Sequence, residues 1–163
     1  MKSKNGFTLI EMLFYLALIS FLSFAVFSVL NIVNKERINS LSFSEVNYQG
    51  ILISNLIARE VRGAKSAVIE GGNKLIIYKD QQEPVIVTFS GGDVLFEEKD
   101  KDIEKLNNFK VAISSFMLED STVSDESNSI SLSFIVSYNN KLDVSDYNYS
   151  KKFYVSASTH QEK

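Results

Sequence analysis

The pattern of hydrophobic and polar residues divides the chain into three stretches with different periods. The first is a continuous apolar run, in which no residue from Met12 to Asn34 carries a charge. A helix of about 20 apolar residues crosses the hydrocarbon core of a bilayer. The run therefore predicts a membrane-spanning helix near the N-terminus.

The second stretch predicts that this helix continues as an amphipathic one. No proline occurs between Asn34 and Ala64, and apolar residues recur mostly three or four positions apart. Gly63 is a candidate end signal, and the cations around it suit a helix C-terminus. We expect one helix from Phe7 to about Val61. Its outer half should pack on a domain through Ile38, Leu41, Val46, Ile53, Leu56 and Ile57.

After Lys65 the period changes to two, which predicts β-strands. Two Gly-Gly pairs separate the alternating segments 67–70 and 74–79, and 85–90 and 94–98, which predicts two hairpins. Further strands are expected over 109–118, with a bulge at Ser114-Ser115, over 129–138 and over 151–158. Residues 99–108, 119–128 and 139–150 are interpreted as loops or single turns. The prediction is an α+β protein in which one antiparallel sheet of six or seven strands packs on the long helix.

Composition excludes several function classes. The chain has 163 residues, no Cys, one His and a net charge of -3. Disulfide frameworks, thiolate zinc sites, Cys nucleophiles and multi-His metal sites are therefore excluded, and nucleic acid is not an expected partner. The sequence contains no catalytic motif, and His160 lies in a polar tail. We predict that the protein is not an enzyme.

Glu11 distinguishes three interpretations of the N-terminal segment. Lys2 and Lys4 precede the apolar run and favour a cytoplasmic N-terminus for a simple anchor. A secretory signal cleaved after Ala25 is the second interpretation. Neither explains Glu11, because an ionised carboxylate within a membrane segment costs about 2.5 kcal/mol or more at the helix centre. The third interpretation is that this acidic residue has a function within the membrane segment.

The run Lys4–Glu11, which reads KNGFTLIE, resembles the prepilin signature of type IV pilins and type II secretion pseudopilins. The resemblance implies that a prepilin peptidase cuts between Gly6 and Phe7 and then N-methylates Phe7. It also implies that Glu11 pairs with the Phe7 amine of a neighbouring subunit.

The same resemblance implies an organisation and a location for the whole chain. Residues 1–6 would be the leader, 7–33 the membrane and filament-core helix, 34–65 its amphipathic continuation, and 66–163 an extracytoplasmic β-sheet head. The protein would cross the cytoplasmic (inner) membrane once, in contact with lipid. An assembly platform and its ATPase would then move it into a surface or periplasmic filament with other pilins or pseudopilins. The pattern leaves pilus, competence and type II secretion systems open.

Two features favour a minor subunit. Many major pilins carry a proline in the apolar run, whereas the only proline here is Pro84. The stretch from Asn55 to Ser66 is similar to the corresponding stretch of J-type minor pseudopilins. We therefore expect a minor pilin or a J-type pseudopilin.

Each of the other candidate sites also has a purely structural interpretation. We expect no cofactor, and the alternative is Ca²⁺ at Asp143 and Asp146, or at Asp120, Asp125 and Glu126, although neither group has EF-hand spacing. Cations at the helix end could contact phosphate or merely complement the helix dipole. Four tyrosines could form an adhesive patch or fill the core. The alternative function is a membrane-tethered β-domain that binds a partner without assembling into a filament. The cations and tyrosines are Arg59, Arg62, Lys65, Tyr138, Tyr147, Tyr149 and Tyr154.

Overall fold

A computed structural model describes residues 8–80, 83–99, 101–122, 128–139 and 149–159. The chain divides into two compact units, Met1–Ser40 and Leu41–Lys163. One helix and eight strands are assigned in the described residues: α1 Leu9–Arg62, β1 Ser66–Glu70, β2 Lys74–Tyr78, β3 Val85–Ser90, β4 Asp93–Glu97, β5 Glu104–Lys105, β6 Val111–Asp120, β7 Ser129–Tyr138 and β8 Ser150–Ser158.

The first unit contains the apolar part of α1. Its side chains are exposed on every side of the helix, as Leu9 at 80% and Phe21 at 73% illustrate. By length and composition α1 is able to cross a membrane, and none of its most apolar window is buried within the protein. The hydroxyls of Ser20 and Ser28 donate to the carbonyls of Leu16 and Phe24, so that these polar groups are satisfied within the helix itself.

In the second unit, α1 buries one stripe against the strands. The stripe begins at Ser42 and continues through Val46, Gln49, Ile53, Ile57 and Val61 at helical spacing. The prediction is confirmed for Val46, Ile53 and Ile57, which are among the most buried residues of the protein. It is wrong for Leu41, which lies before the stripe and is 55% exposed, and Ile38 likewise lies outside it.

The strands form two antiparallel sheets rather than the single sheet that we expected. The first has the order β1-β2-β3-β4-β5 and the second the order β6-β7-β8. Both hairpins are confirmed, and all four glycines at their turns have positive φ, which a residue with a Cβ rarely adopts. The segment expected to be a loop contributes the two-residue strand β5, and β6 runs on to Asp120.

The expected bulge lies in β6. Its register with β7 shifts between Ser114 and Met117, and Ser115 has a φ of 48°. A bulge leaves one extra residue in the strand, which explains the broken alternation in the sequence. β7 keeps a strict alternation and buries Ile130, Leu132, Phe134 and Val136, as the sequence predicted. The architecture is therefore α+β, with a long N-terminal helix and antiparallel sheets of the pilin-like kind.

Candidate functional site

The candidate site is the first turn of α1. Thr8 precedes the helix, and its carbonyl accepts hydrogen bonds from the backbone N–H of Glu11 (3.1 Å) and of Met12 (3.2 Å). Glu11 is thus held in the first turn, where the partial positive charge of the helix N-terminus favours a carboxylate.

The surroundings of Glu11 are apolar and open. A shallow depression around it is lined by Thr8, Ile10, Phe14 and Tyr15. Glu11 is exposed, and no ion pair joins it to any residue of the described segments. The side chains that follow it are large and apolar, so any environment that covers the helix also surrounds this carboxylate. A cation delivered by another molecule would neutralise it there.

Gly6 and Phe7, the expected cleavage and methylation positions, lie outside the described residues. Asp125, Glu126, Asp143, Asp146, Tyr147 and His160 lie outside them too. Asp120 is described, and the hydrogen bonds that it accepts from the Thr122 hydroxyl and then from the Thr122 backbone N–H (2.9 Å) lower the pKa of its carboxyl. No group of three or more metal-binding side chains occurs within the described ranges.

Two of the three cations around the helix end lie beside carboxylates. Arg59 donates to the Glu60 carboxylate at 3.1 Å, and Lys65 lies 3.8 Å from Asp80. Lys65 follows the end of α1 instead of lying on it. The charges of Arg59 and Lys65 are therefore at least partly balanced within the protein, which favours the structural interpretation of these cations over phosphate binding.

The described tyrosines divide between core and surface. Tyr138 and Tyr149 pack against the hydrophobic core, whereas Tyr154 is 74% exposed. The Tyr154 ring lies on the outer face of β8, and the Lys152 ammonium stands 4.8 Å from its centroid. The three described residues Tyr138, Tyr149 and Tyr154 therefore do not form one surface patch.

Sequence reasoning did not predict the buried polar residues, among which Glu60 and Asn107 make several hydrogen bonds or ion pairs through their side chains. The Glu60 carboxylate is buried at the end of α1 and accepts from Lys79 at 2.6 Å as well as from Arg59. Its place between Ile57 and Val61 in the apolar stripe was a usable signal. Asn107 is buried between the two sheets, and nothing in its charged surroundings in the sequence marks it.

Comparison with known proteins agrees with the N-terminal pattern. The family model described as the prokaryotic N-terminal methylation motif matches residues 1–27. Comparison with curated proteins and with solved structures gives no match. The match covers the expected leader, the expected cleavage position, Glu11 and much of the apolar run. The chain therefore carries the N-terminal signature of a pilin-type precursor, a structural class of protein.

Proposed function

We propose that the protein is a structural subunit, a minor pilin or pseudopilin, of a type IV pilus-like filament. A prepilin peptidase cuts it between Gly6 and Phe7 and methylates the new amine. The helix then leaves the membrane and packs with the helices of other subunits. The observation that carries this proposal is Glu11, an exposed carboxylate in the first turn of a helix whose apolar side chains are exposed all round.

The exposed apolar surface of α1 is suited to two successive environments, the lipid bilayer and the filament core. Large apolar side chains surround α1 throughout its first unit. Lipid satisfies such a surface before assembly, and neighbouring helices satisfy it in a filament. One sequence therefore serves both states.

The charges of the leader support the role of cleavage. Removal of residues 1–6 takes away Lys2 and Lys4 and leaves one positive amine on Phe7, four residues before Glu11. Opposite charges in an apolar environment are costly when apart and tolerated when paired. A subunit whose Glu11 meets the Phe7 amine of its neighbour docks in one axial register.

The continuity of α1 supports the minor-subunit assignment. The helix runs for 54 residues from Leu9 to Arg62 without proline. A proline in the apolar run would remove a backbone donor and kink or locally melt the helix. The similarity of Asn55–Ser66 to J-type minor pseudopilins also favours a minor subunit. The genes that neighbour this one in the genome would identify whether the filament belongs to a pilus, a competence or a secretion system.

Two variants test the proposal in cells that contain the prepilin peptidase and the assembly system. Gly6→Ala should accumulate uncut, whereas the neighbouring Asn5→Ala should be processed normally. Glu11→Ala should be cut and membrane-bound but poorly recovered in sheared filaments, since its carboxylate is lost.

Glu36→Ala is the matched control for Glu11→Ala, because Glu36 is an exposed carboxylate of the same helix beyond the apolar run. Normal incorporation of Glu11→Ala would contradict the docking role. Indifference to Gly6→Ala would instead favour the alternative, a tethered binding domain that never assembles.

A further inference from the structure

The strand β8 forms an open edge of the second sheet. In the order β6-β7-β8 it has a single neighbour, β7. Its register is unbroken over all nine residues, from the pair Ser129 and Ser158 to the pair Ser137 and Ser150. It contains no proline and no bulge, two of the devices by which proteins protect sheet edges.

The register identifies the backbone groups that point away from the sheet. The N–H of Tyr138 donates to the carbonyl of Tyr149, and the N–H of Thr159 donates to that of Asn128, both at 2.9 Å. These pairs continue the β7–β8 register at its two ends, so odd-numbered residues of β8 bond to β7. Because the direction alternates along a strand, the outward N–H and C=O groups belong to Ser150, Lys152, Tyr154, Ser156 and Ser158.

These outward groups are available. No backbone hydrogen bond beyond the β7 ladder reaches them from the described residues. The side chains of the same five residues are all exposed. A row of unpaired backbone donors and acceptors of this length is a template for another strand.

The remaining edges offer less. β5 has only two residues, and β6 carries the bulge and donates its Ile113 N–H to the carbonyl of Gly92 at 2.9 Å. β1 has five residues, and its Ala67 carbonyl accepts from the Asn128 side chain at 3.5 Å. Within the described segments, β8 is therefore the longest edge strand that has neither a bulge nor a proline.

The charge of β8 selects its partner. It contains Lys151 and Lys152 and no acidic residue, although acids outnumber bases in the whole chain, 20 to 17. The Lys151 ammonium donates to the Asn47 side chain at 2.6 Å. Lys152 contacts the Tyr154 ring and forms no ion pair with a described carboxylate. A second copy of β8 would bring two more lysines, whereas an acidic segment would complement them.

We propose that the β8 edge binds an extended acidic segment of a partner protein by strand addition. The segment extends the sheet to a fourth strand through the outward groups of β8, and a carboxylate of the segment lies opposite Lys152. Main-chain hydrogen bonds supply affinity, and the ion pair supplies selectivity. The proposal does not depend on how the N-terminus is processed.

The first test removes one outward donor. The probe is a fluorescent peptide of the length of β8, with alternating Val and Thr, one central Glu and blocked termini. Its binding to the full chain in detergent is followed by anisotropy. Ser156→Pro deletes an outward N–H and leaves the ladder to β7 in place, whereas Ser156→Ala keeps the N–H. We expect a loss of at least about tenfold in affinity for the proline variant and none for the alanine variant.

A modified peptide makes this test independent of the folding of a variant. N-methylation of every second amide removes the peptide's own donors without changing the protein. The methylated peptide should not bind the unaltered chain. Equal binding of both peptides, or equal binding by Ser156→Pro, would overturn the proposal.

The second test reverses the charge. Lys152→Glu should lose the Glu peptide and gain a peptide in which Lys replaces that Glu. Lys99→Glu changes an exposed lysine in the turn after β4, away from β8, and is the control that should bind as the unaltered chain does. No preference between the two peptides would contradict the acidic partner.

Amide hydrogen exchange identifies the other possible occupants. In the free chain the N–H groups of Tyr154 and Ser156 should exchange fast and become protected only with the Glu peptide. Protection in the dilute free chain would assign the edge to residues 140–148 or 160–163 of the same molecule. Protection that rises with protein concentration would assign it to a second copy. Either result would overturn the proposal.

Discussion

At the residue scale, the buried side chain of Asn107 joins the two sheets. It is 2% exposed, and its side-chain oxygen accepts from the backbone of Val94 at 2.8 Å. Its amide nitrogen lies within hydrogen-bond distance of the carbonyls of Gly92 (3.3 Å) and Val111 (3.2 Å) and of the Asp93 carboxylate (3.1 Å). One side chain thereby links β4 to the start of β6. Sequence reasoning correctly assigned it to a loop but did not predict this linking role, because nothing local shows that distant backbone groups converge there.

Asn107→Ala should lower the free energy of unfolding by about 2–3 kcal/mol, because it leaves buried backbone groups without partners. Urea denaturation of the purified chain measures this change. Asn55→Ala, at an exposed position on α1, is the control and should change stability little. A loss at Asn107 no larger than at Asn55 would contradict the linking role.

Asp93 gives a pH-dependent test of the same region. The hydrogen bond from the partly exposed Lys105 and then that from Asn107 lower the pKa of this carboxyl from its ordinary 3.8. Because the folded pKa lies below the unfolded one, the stabilisation is complete above the ordinary value. It is lost as the pH falls through the lowered pKa. NMR titration should find the Asp93 pKa below 3.8, and Lys105→Met should raise it. An unchanged pKa in that variant would refute this cause.

At the element scale, periodicity predicted individual strands better than their arrangement. The residues of β7 and of both hairpins follow from alternation and from the Gly-Gly turns. The split into two sheets does not, because alternation shows which face of a strand is buried but not which strand is its neighbour. For the same reason, the sequence did not predict that Gly50 is a point of close contact between α1 and a strand. In sequence it weakens a helix, whereas in the structure it lets the Phe153 ring lie against α1.

Gly50→Ala should destabilise the protein despite its higher helix propensity. The added methyl would lie within 3.0 Å of the Phe153 ring carbons. Alanine gains about 1 kcal/mol of helix propensity, while overpacking costs about 1–3 kcal/mol and displaces the ring from Phe134. In a Phe153→Ala background the clash is absent, so the same substitution should stabilise. Thermal unfolding of the four chains measures the reversal, and equal effects in both backgrounds would contradict the close packing.

At the scale of the whole molecule, the sequence predicts more about the first unit than about the second. The first unit carries a signature that is recognisable in its sequence, since a short basic segment, a Gly-Phe step and one acid in an apolar run are together typical of a pilin-type precursor. The second unit has a complete core of its own, from Val46 to Ala157. Its open edge at β8 is known only from the strand pairing in the structure, because local sequence does not determine the order of strands in a sheet.

The mature N-terminus tests the central claim most directly. The protein should be purified from cells that contain the prepilin peptidase, and its N-terminal peptide should be sequenced by mass spectrometry. We predict that the chain begins at Phe7 and that its amine carries one methyl group. A chain that still begins at Met1, or one that begins after Ala25, would contradict the account, because the amine that Glu11 is proposed to meet would not exist.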